Sequence, residues 1–236
     1  MKTLVISQPM YFPWVGMLEQ MRLADVFVYL DDAQFSKGGF FNRVQIKTER
    51  GTPWLTVPLA ENKLGQSLSE TQPASHDWRR KHLATLRQAY ARAPYLEEMM
   101  DLVESVFDQD INSLARLSAA SMGSLADFFE ITPAEMQWSS RMDVEGTGSN
   151  RVLALCQEAG AERYITGHGA GDYLDHEMFE KAGVRVEYME YQKKPYSQLY
   201  GEFTPFVSGL DLAANCGKHG GEVIESGAIY WKDFLK

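Results

Sequence analysis

Short apolar runs separated by polar turns fill the first sixty residues, and helical periodicities fill the middle of the chain. Thr3 to Ser7 is apolar, β-branched and short, which predicts a buried strand. Met17 to Leu23 predicts a short helix, and Asp25 to Leu30 a second buried strand. Strand, helix and strand make a βαβ unit with a parallel pair. Val44 to Lys47 and Trp54 to Pro58 alternate in polarity around the Thr48–Thr52 turn, the pattern of a hairpin.

Three helices follow at 3.6-residue spacing: Asp77 to Ala91, a second opening at Pro94-Tyr95 and running through Phe107, and Ile111 to Phe129. Together they predict a helical subdomain, or an insertion over one sheet face, at about residues 76–130. Beyond it the α/β pattern returns. Glu135 to Ser140 reads as a strand ending in two serines, Arg151 to Glu158 as a helix, and Arg163 to Thr166 and Val184 to Tyr188 as strands. The expected fold is one α/β domain over residues 1–236. Its parallel or mixed sheet comprises Thr3–Ser7, Asp25–Leu30, Arg163–Thr166 and Val184–Tyr188, with the hairpin appended.

Composition narrows the function classes. The chain has 236 residues and a formal net charge of −9, which argues against a general nucleic-acid or anionic-membrane binder. No apolar run approaches the ~20 residues of a spanning helix, and the amino terminus has no long apolar core of a signal peptide. With only Cys156 and Cys216, far apart, a cytoplasmic protein with reduced thiols is expected. The five histidines and two cysteines show no metal-ligand spacing, so no metal site is expected.

Candidate chemistry gathers at predicted strand ends, where open α/β sheets bind their ligands. Gln8 ends the first strand and leads into Pro9-Met10-Tyr11-Phe12-Pro13-Trp14-Val15-Gly16, a rigid aromatic loop. Asp31 and Asp32 end the second strand. Gly167-His168-Gly169-Ala170-Gly171-Asp172-Tyr173 follows the Arg163–Thr166 strand. These segments predict one crevice. Gln8, Tyr11, Trp14, Asp31, Asp32, Asn42 and Arg43 stand on one side; Gly167, His168, Asp172 and Tyr173 stand on the other. Asp32 or His168 is the expected proton acceptor. Arg43 and Lys47 are expected to hold a phosphate or carboxylate. A basic cluster, Arg79, Arg80, Lys81 and His82, is a candidate contact for a phosphate or a carrier. Each group also has a plain structural reading: aspartates in solvated turns, aromatics in core, and basic residues on a wet helix face.

The ordered motifs carry a resemblance. Gln8-Pro-x-Tyr11-x-Pro13-Trp14-x-Gly16, Leu30-Asp31-Asp32-x-Gln34-Phe35, Asn42-Arg43-x-x-Ile46-Lys47 and Trp54-Leu55-x-x-Pro58 resemble the WbqC-like family. Trp78-Arg-Arg-Lys-His82, Ala93-Pro94-Tyr95, Tyr196-x-Gln198 and Ser208-x-x-Asp211 agree in order. The resemblance implies a bacterial protein tailoring surface glycans or specialised sugars. The expected activity is acyl or aminoacyl transfer to the amine of a nucleotide-linked amino sugar. The donor is left open: an acyl thioester of coenzyme A or of an acyl carrier protein is one candidate, and an adenylate is another. One departure is Leu212-Ala213-Ala214-Asn215-Cys216-Gly217, where related sequences carry Leu-Phe-Asn-x-Gly; the alanines either widen a pocket or repack a helix.

Two other readings compete. A non-catalytic scaffold that binds sugar nucleotides or glycans would use the same aromatic loop for stacking. The opening strand, proline loop, helix and acid-ended strand also resemble the start of HIGH-motif nucleotidyltransferases. The chain lacks that motif's paired histidines.

Overall fold

In the computed structural model, residues 1–36, 38–61, 65–74 and 77–236 are described; Lys37 and His76 lie outside them. The first unit is β1 (Thr3–Ser7), α1 (Val15–Leu23) and β2 (Val26–Tyr29), with β1 and β2 parallel. The hairpin follows as β3 (Arg43–Gln45) and β4 (Trp54–Thr56), antiparallel with Val44 opposite Leu55. The predicted helices are α2 (Asp77–Ala89), α3 (Leu96–Phe107) and α4 (Leu114–Phe128). Then come β5 (Glu135–Trp138), α5 (Gly148–Glu158), β6 (Arg163–Thr166), α6 (His176–Lys181) and β7 (Arg185–Met189). The chain closes with α7 (Gly209–Cys216), α8 (Gly221–Ile224), β8 (Ala228–Tyr230) and α9 (Trp231–Phe234).

The main sheet has six strands in the order β5-β2-β1-β6-β7-β8, and the hairpin forms a separate two-stranded sheet. The first five strands in that order run parallel, and β8 is antiparallel to β7. The sheet is therefore mixed; β5, expected as a strand, joins it beside β2, and β8 is a strand that was not expected. Each adds a short edge with little apolar signal of its own: in β5 Glu135 and Met136 are exposed and Gln137 and Trp138 half-buried, and β8 has only three residues.

Both faces are covered. Val5, Phe27 and Tyr29 pack into one core with residues of α1 to α4 and α7. Leu4, Ile6, Val26 and Val28 pack on the opposite face with Leu155 of α5 and Phe179 of α6. Burial on both faces is why β1 and β2 read as unbroken apolar runs rather than alternating ones. The three middle helices share one core with the sheet. Ala213 and Ala214, the departure from the family pattern, are fully buried in that same core.

Two devices fix the loops around the strand ends. Phe12 takes a positive φ of 38°, an uncommon conformation for an aromatic residue. It is held from both sides: its N–H donates to Ser121 Oγ at 2.8 Å and its carbonyl accepts from Ser208 Oγ at 2.7 Å. The Gly209 N–H donates to the Pro13 carbonyl at 2.7 Å, an approach in which a Cβ on Gly209 would lie 2.9 Å from Leu18. The second device is Glu19, fully buried on α1. It accepts from Arg22 at 2.7 and 3.0 Å and from the Ser226 and Gly227 N–H groups at 3.0 and 2.8 Å. Arg22 and two amides thus offset the cost of burying the carboxylate and set where β8 begins.

Candidate functional site

The carboxyl ends of the parallel strands share one edge. Across it lie Ser139-Ser140 after β5, Asp31-Asp32 after β2, Gln8 after β1, and Gly167-His168 after β6. The chain leaves β1 toward β2 through α1 on one face, and leaves β6 toward β7 through α6 on the other. The edge between β1 and β6 is thus a topological switch point, where the two connections part, the place at which open α/β sheets bind their ligands.

The two acids of β2 have different fates. Asp31 is buried and accepts from Ser139 Oγ at 3.2 Å, Ser140 N at 3.0 Å and Ser140 Oγ at 2.8 Å. It is the clasp that holds the end of β5 to the end of β2. Asp32 is more open, with its side chain 30% exposed, and it accepts from Ser139 Oγ at 2.7 Å and from the Arg151 guanidinium. Burial pushes its carboxyl up, but the bonds from Arg151 and Ser139 outweigh that and hold it below the usual carboxylate range. Asp32 is accordingly an ionised group suited to orienting a cation and is a poor proton acceptor at neutral pH.

Arg151 sits in the first turn of α5. Its Nε is buried without a partner while its terminal nitrogen holds Asp32. A buried donor with no acceptor costs free energy until something supplies one. Gly146 and Gly148 flank Thr147 with φ of +107° and +55°, turning the chain into α5. Thr147 makes no side-chain cap bond, so the first amides of α5 face the same space with no side-chain oxygen on them. That space is a cavity of about 330 Å³ walled by these residues together with Leu30, Val152, Leu155 and Tyr173. Ser149 ties its far wall in place, donating to the Tyr173 carbonyl at 3.2 Å and accepting from the Asp175 N–H at 2.9 Å.

His168 opens the turn after β6 and is exposed. Its Nε2 lies 2.8 Å from the Met189 carbonyl. A carbonyl only accepts, so Nε2 carries a proton, and in the neutral ring Nδ1 is the nitrogen with the lone pair. Phe234 of α9 packs on the ring at 4.7 Å and also stacks on Tyr188 at 4.1 Å. Gln8 is half-buried, and its side-chain amide has no hydrogen-bond partner among the described residues. Gln20 of α1 reaches the same switch point: a Cβ on Gly167 would stand 3.5 Å from its Nε2.

The other expected site residues go elsewhere. Tyr11 is fully buried, its hydroxyl 2.9 Å from His82 Nδ1. His82 is also buried, 3.1 Å from the Thr56 carbonyl, and desolvation lowers its pKa to about 4, so it is a neutral core imidazole. Asn42 donates to the Val57 carbonyl at 2.9 Å, and Arg43 lies 4.2 Å over the Trp54 ring; both serve the hairpin. Lys47 is buried and donates to Gln198 Oε1 at 2.9 Å and to the Glu202 carbonyl at 2.6 Å. Trp14 packs on Tyr191 and against the start of α1, where a Cβ on Gly16 would fall 2.3 Å from its indole. Arg79 donates to the Ile111 carbonyl at 3.5 Å and lies 4.9 Å over Trp78, while Arg80 and Lys81 are exposed on α2.

The same edge carries Gln8, Asp31, Asp32, Gly167 and His168, with Asp172 and Tyr173 in the turn that follows. It adds Ser139, Ser140, Arg151 and Gln20, which the sequence did not single out. The double serine at a strand end and an arginine in a glycine-entered helix were the available signals.

Among the described residues, no three His, Cys, Asp or Glu side chains are grouped to hold a metal ion. No helix among them is long and apolar enough to cross a membrane. No solved structure matches the chain. An uncharacterized protein of Mycobacterium tuberculosis is 31% identical over 221 residues, covering 92% of this chain and 95% of the relative. The model of the WbqC-like protein family matches residues 8–223, and the chain belongs to that family.

Proposed function

We propose that this protein transfers an acyl or aminoacyl group from a thioester to the amine of a nucleotide-linked amino sugar, as a step in bacterial glycan or specialised-sugar biosynthesis. Membership in the WbqC-like family supports the sugar context through the role that the resemblance implies. The observation that carries the chemistry is His168, exposed on the switch-point edge with a lone pair on Nδ1, on the same edge as the Asp32–Arg151 pair.

The residues divide the work. Asp32, held ionised, orients the substrate amine. Arg151 Nε and the first amides of α5 receive an anionic group of one of the two substrates. His168 Nδ1 takes a proton as the amine nitrogen forms its bond to the thioester carbonyl carbon. Backbone N–H groups of the Gly167–Gly171 turn face the developing oxyanion. The C–S bond then breaks, and the leaving thiolate takes the proton from His168. Amine and thioester become amide and thiol, with no redox partner.

The competing nucleotidyl-transfer reading is disfavoured by Trp14, whose indole covers Gly16 in the first turn of α1, where a phosphate would otherwise meet free amides. The test is thiol release. The protein is incubated with a UDP- or dTDP-linked amino sugar and acyl-coenzyme A or acyl carrier protein, and free thiol is followed over time. Release that depends on the amino sugar and is lost in His168→Ala is expected. Tight binding of the sugar nucleotide with no thiol from any donor would overturn the proposal in favour of a binding scaffold.

A further inference from the structure

A cavity of about 630 Å³ lies between α4 and the free edge of β5. Arg116, Ala119, Ala120 and Gly123 share one face of α4, and their small members leave the space open. Met136 and Trp138 of β5 stand opposite. They alternate with Glu135 and Gln137 and therefore project to the same side of the sheet.

β5 is an edge strand. The Glu135 N–H donates to the Asp25 carbonyl, so the peptide groups of Glu135 and Gln137 point toward β2 and those of Met136 point outward. Among the described residues, the Met136 N–H and carbonyl have no hydrogen-bond partner. One residue thus presents an adjacent donor and acceptor at the rim of an aromatic-lined space. The Arg116 guanidinium lies 4.2 Å over the Trp138 ring, near the start of α4, and Asp110 and Asn112 line the same cavity. Trp138 is followed directly by Ser139 and Ser140, which clasp Asp31 and Asp32.

We infer that this cavity binds the nucleoside diphosphate portion of a substrate, an inference that rests on the transferase reading above. The base fills the space between α4 and the Met136 and Trp138 side chains. Its hydrogen-bonding edge, which carries an adjacent donor and acceptor, meets the Met136 peptide. The ribose hydroxyls face Asp110 and Asn112, and Arg116 takes the diphosphate. The rest of the substrate leaves past Ser139 toward Asp32. A sugar nucleotide and coenzyme A both carry such a portion, and pyrimidine and adenine nucleotides tell them apart.

The test is calorimetric titration of the whole protein with UDP, dTDP and ADP, repeated on Arg116→Ala and Gly123→Leu. A Cβ on Gly123 meets nothing within 4 Å, so leucine grows into the cavity and leaves α4 helical. At least one nucleotide should bind. Arg116→Ala should weaken it about tenfold or more. Gly123→Leu should abolish binding with the Tm kept or raised. A UDP or dTDP response assigns the cavity to the acceptor, and a response to ADP alone assigns it to the donor. No binding of any nucleotide, or equal binding by all three proteins, overturns the inference. Thiol release that is unchanged in Gly123→Leu overturns this site and leaves the transferase reading standing. Nucleotide binding here without thiol release does the reverse.

Discussion

Two clusters in this molecule use the same chemical parts and do opposite things. At the strand ends, Asp32 meets Ser139 and Arg151 on a half-exposed edge. Beneath the hairpin, Asp211 accepts from the Tyr196 hydroxyl at 2.9 Å, Gln198 Nε2 donates to that hydroxyl, and Lys47 donates to Gln198 Oε1. Asp32 is held below the usual carboxylate range; Asp211, fully buried with Oδ1 unpartnered, is pushed up to about 6 by desolvation. Both clusters contain residues that a motif reading selects. Access to water separates them: the open one can exchange its partners for a ligand, while the closed one has already used most of its donors and acceptors to fix the loop before α7.

The largest effect should come from the open side. His168→Ala should lower kcat in the thiol-release assay by ~10²–10⁴, with a loss of stability limited to about 1 kcal/mol for the Met189 carbonyl bond and the Phe234 contact. Activity that survives this change would move the proton acceptor away from His168. Lys47→Ala should do the reverse. It leaves Gln198 and the Glu202 carbonyl without their buried donor and should cost about 3 kcal/mol in urea unfolding, with the folded fraction keeping its turnover.

The pH dependence separates the two carboxylates by sign. Asp211 has a folded pKa near 6 against about 3.9 in an unfolded chain, so the folded state holds its proton more tightly. Its contribution is fully present below pH ~4 and is lost as the pH rises through 6, a change of up to about 3 kcal/mol. Asp32, held low, contributes in the opposite sense: its stabilisation is present above pH ~4 and is lost as the pH falls through its folded value. Unfolding free energies from pH 4 to 7 should therefore decline less steeply in Asp211→Asn than in the parent. Identical profiles would show that Asp211 does not titrate in this range.

Gly209→Ala tests the loop between the clusters. Its Cβ would crowd Leu18, the Pro13 carbonyl and Leu125 at 2.9–3.3 Å, and a loss of about 2 kcal/mol is expected in thermal or urea unfolding. The smallest effect should come from Arg80→Ala with Lys81→Ala. Both are exposed on α2, and the pair should shift stability by less than about 0.5 kcal/mol and leave KM unchanged. A raised KM for a carrier-linked donor alone would mark this patch as a carrier contact.

The contrast also explains what was legible in the sequence. Apolar runs revealed β1, β2, β6 and β7 because both of their faces are buried. Spacing revealed α2 to α4 because each presents an apolar stripe. The candidate site was legible where its residues end those strands: Gln8, Asp31, Asp32, Gly167 and His168. It was illegible where partners arrive from distant sequence. Arg151 reaches Asp32 across 119 positions, and nothing local marks that pairing. The same blindness brought Tyr11, Lys47 and His82 into the expected site. A motif shows that residues occur together, but packing decides whether they meet water or the core. β8 was missed because three half-buried residues carry almost no periodic signal; the sites that fix it, Glu19 and the β7 edge, lie far upstream.

The position of β1 has a consequence for synthesis. It is an interior strand of the sheet, yet Val5 pairs on one side with Phe27 and on the other with Ile165. A nascent chain has β1 and β2 long before β6 leaves the ribosome. Until then β1 presents an apolar, unpaired edge, which is a ready template for another chain. Fragments ending before β6 should therefore precipitate rather than fold, and slow translation upstream of Arg163 should raise the demand for chaperones.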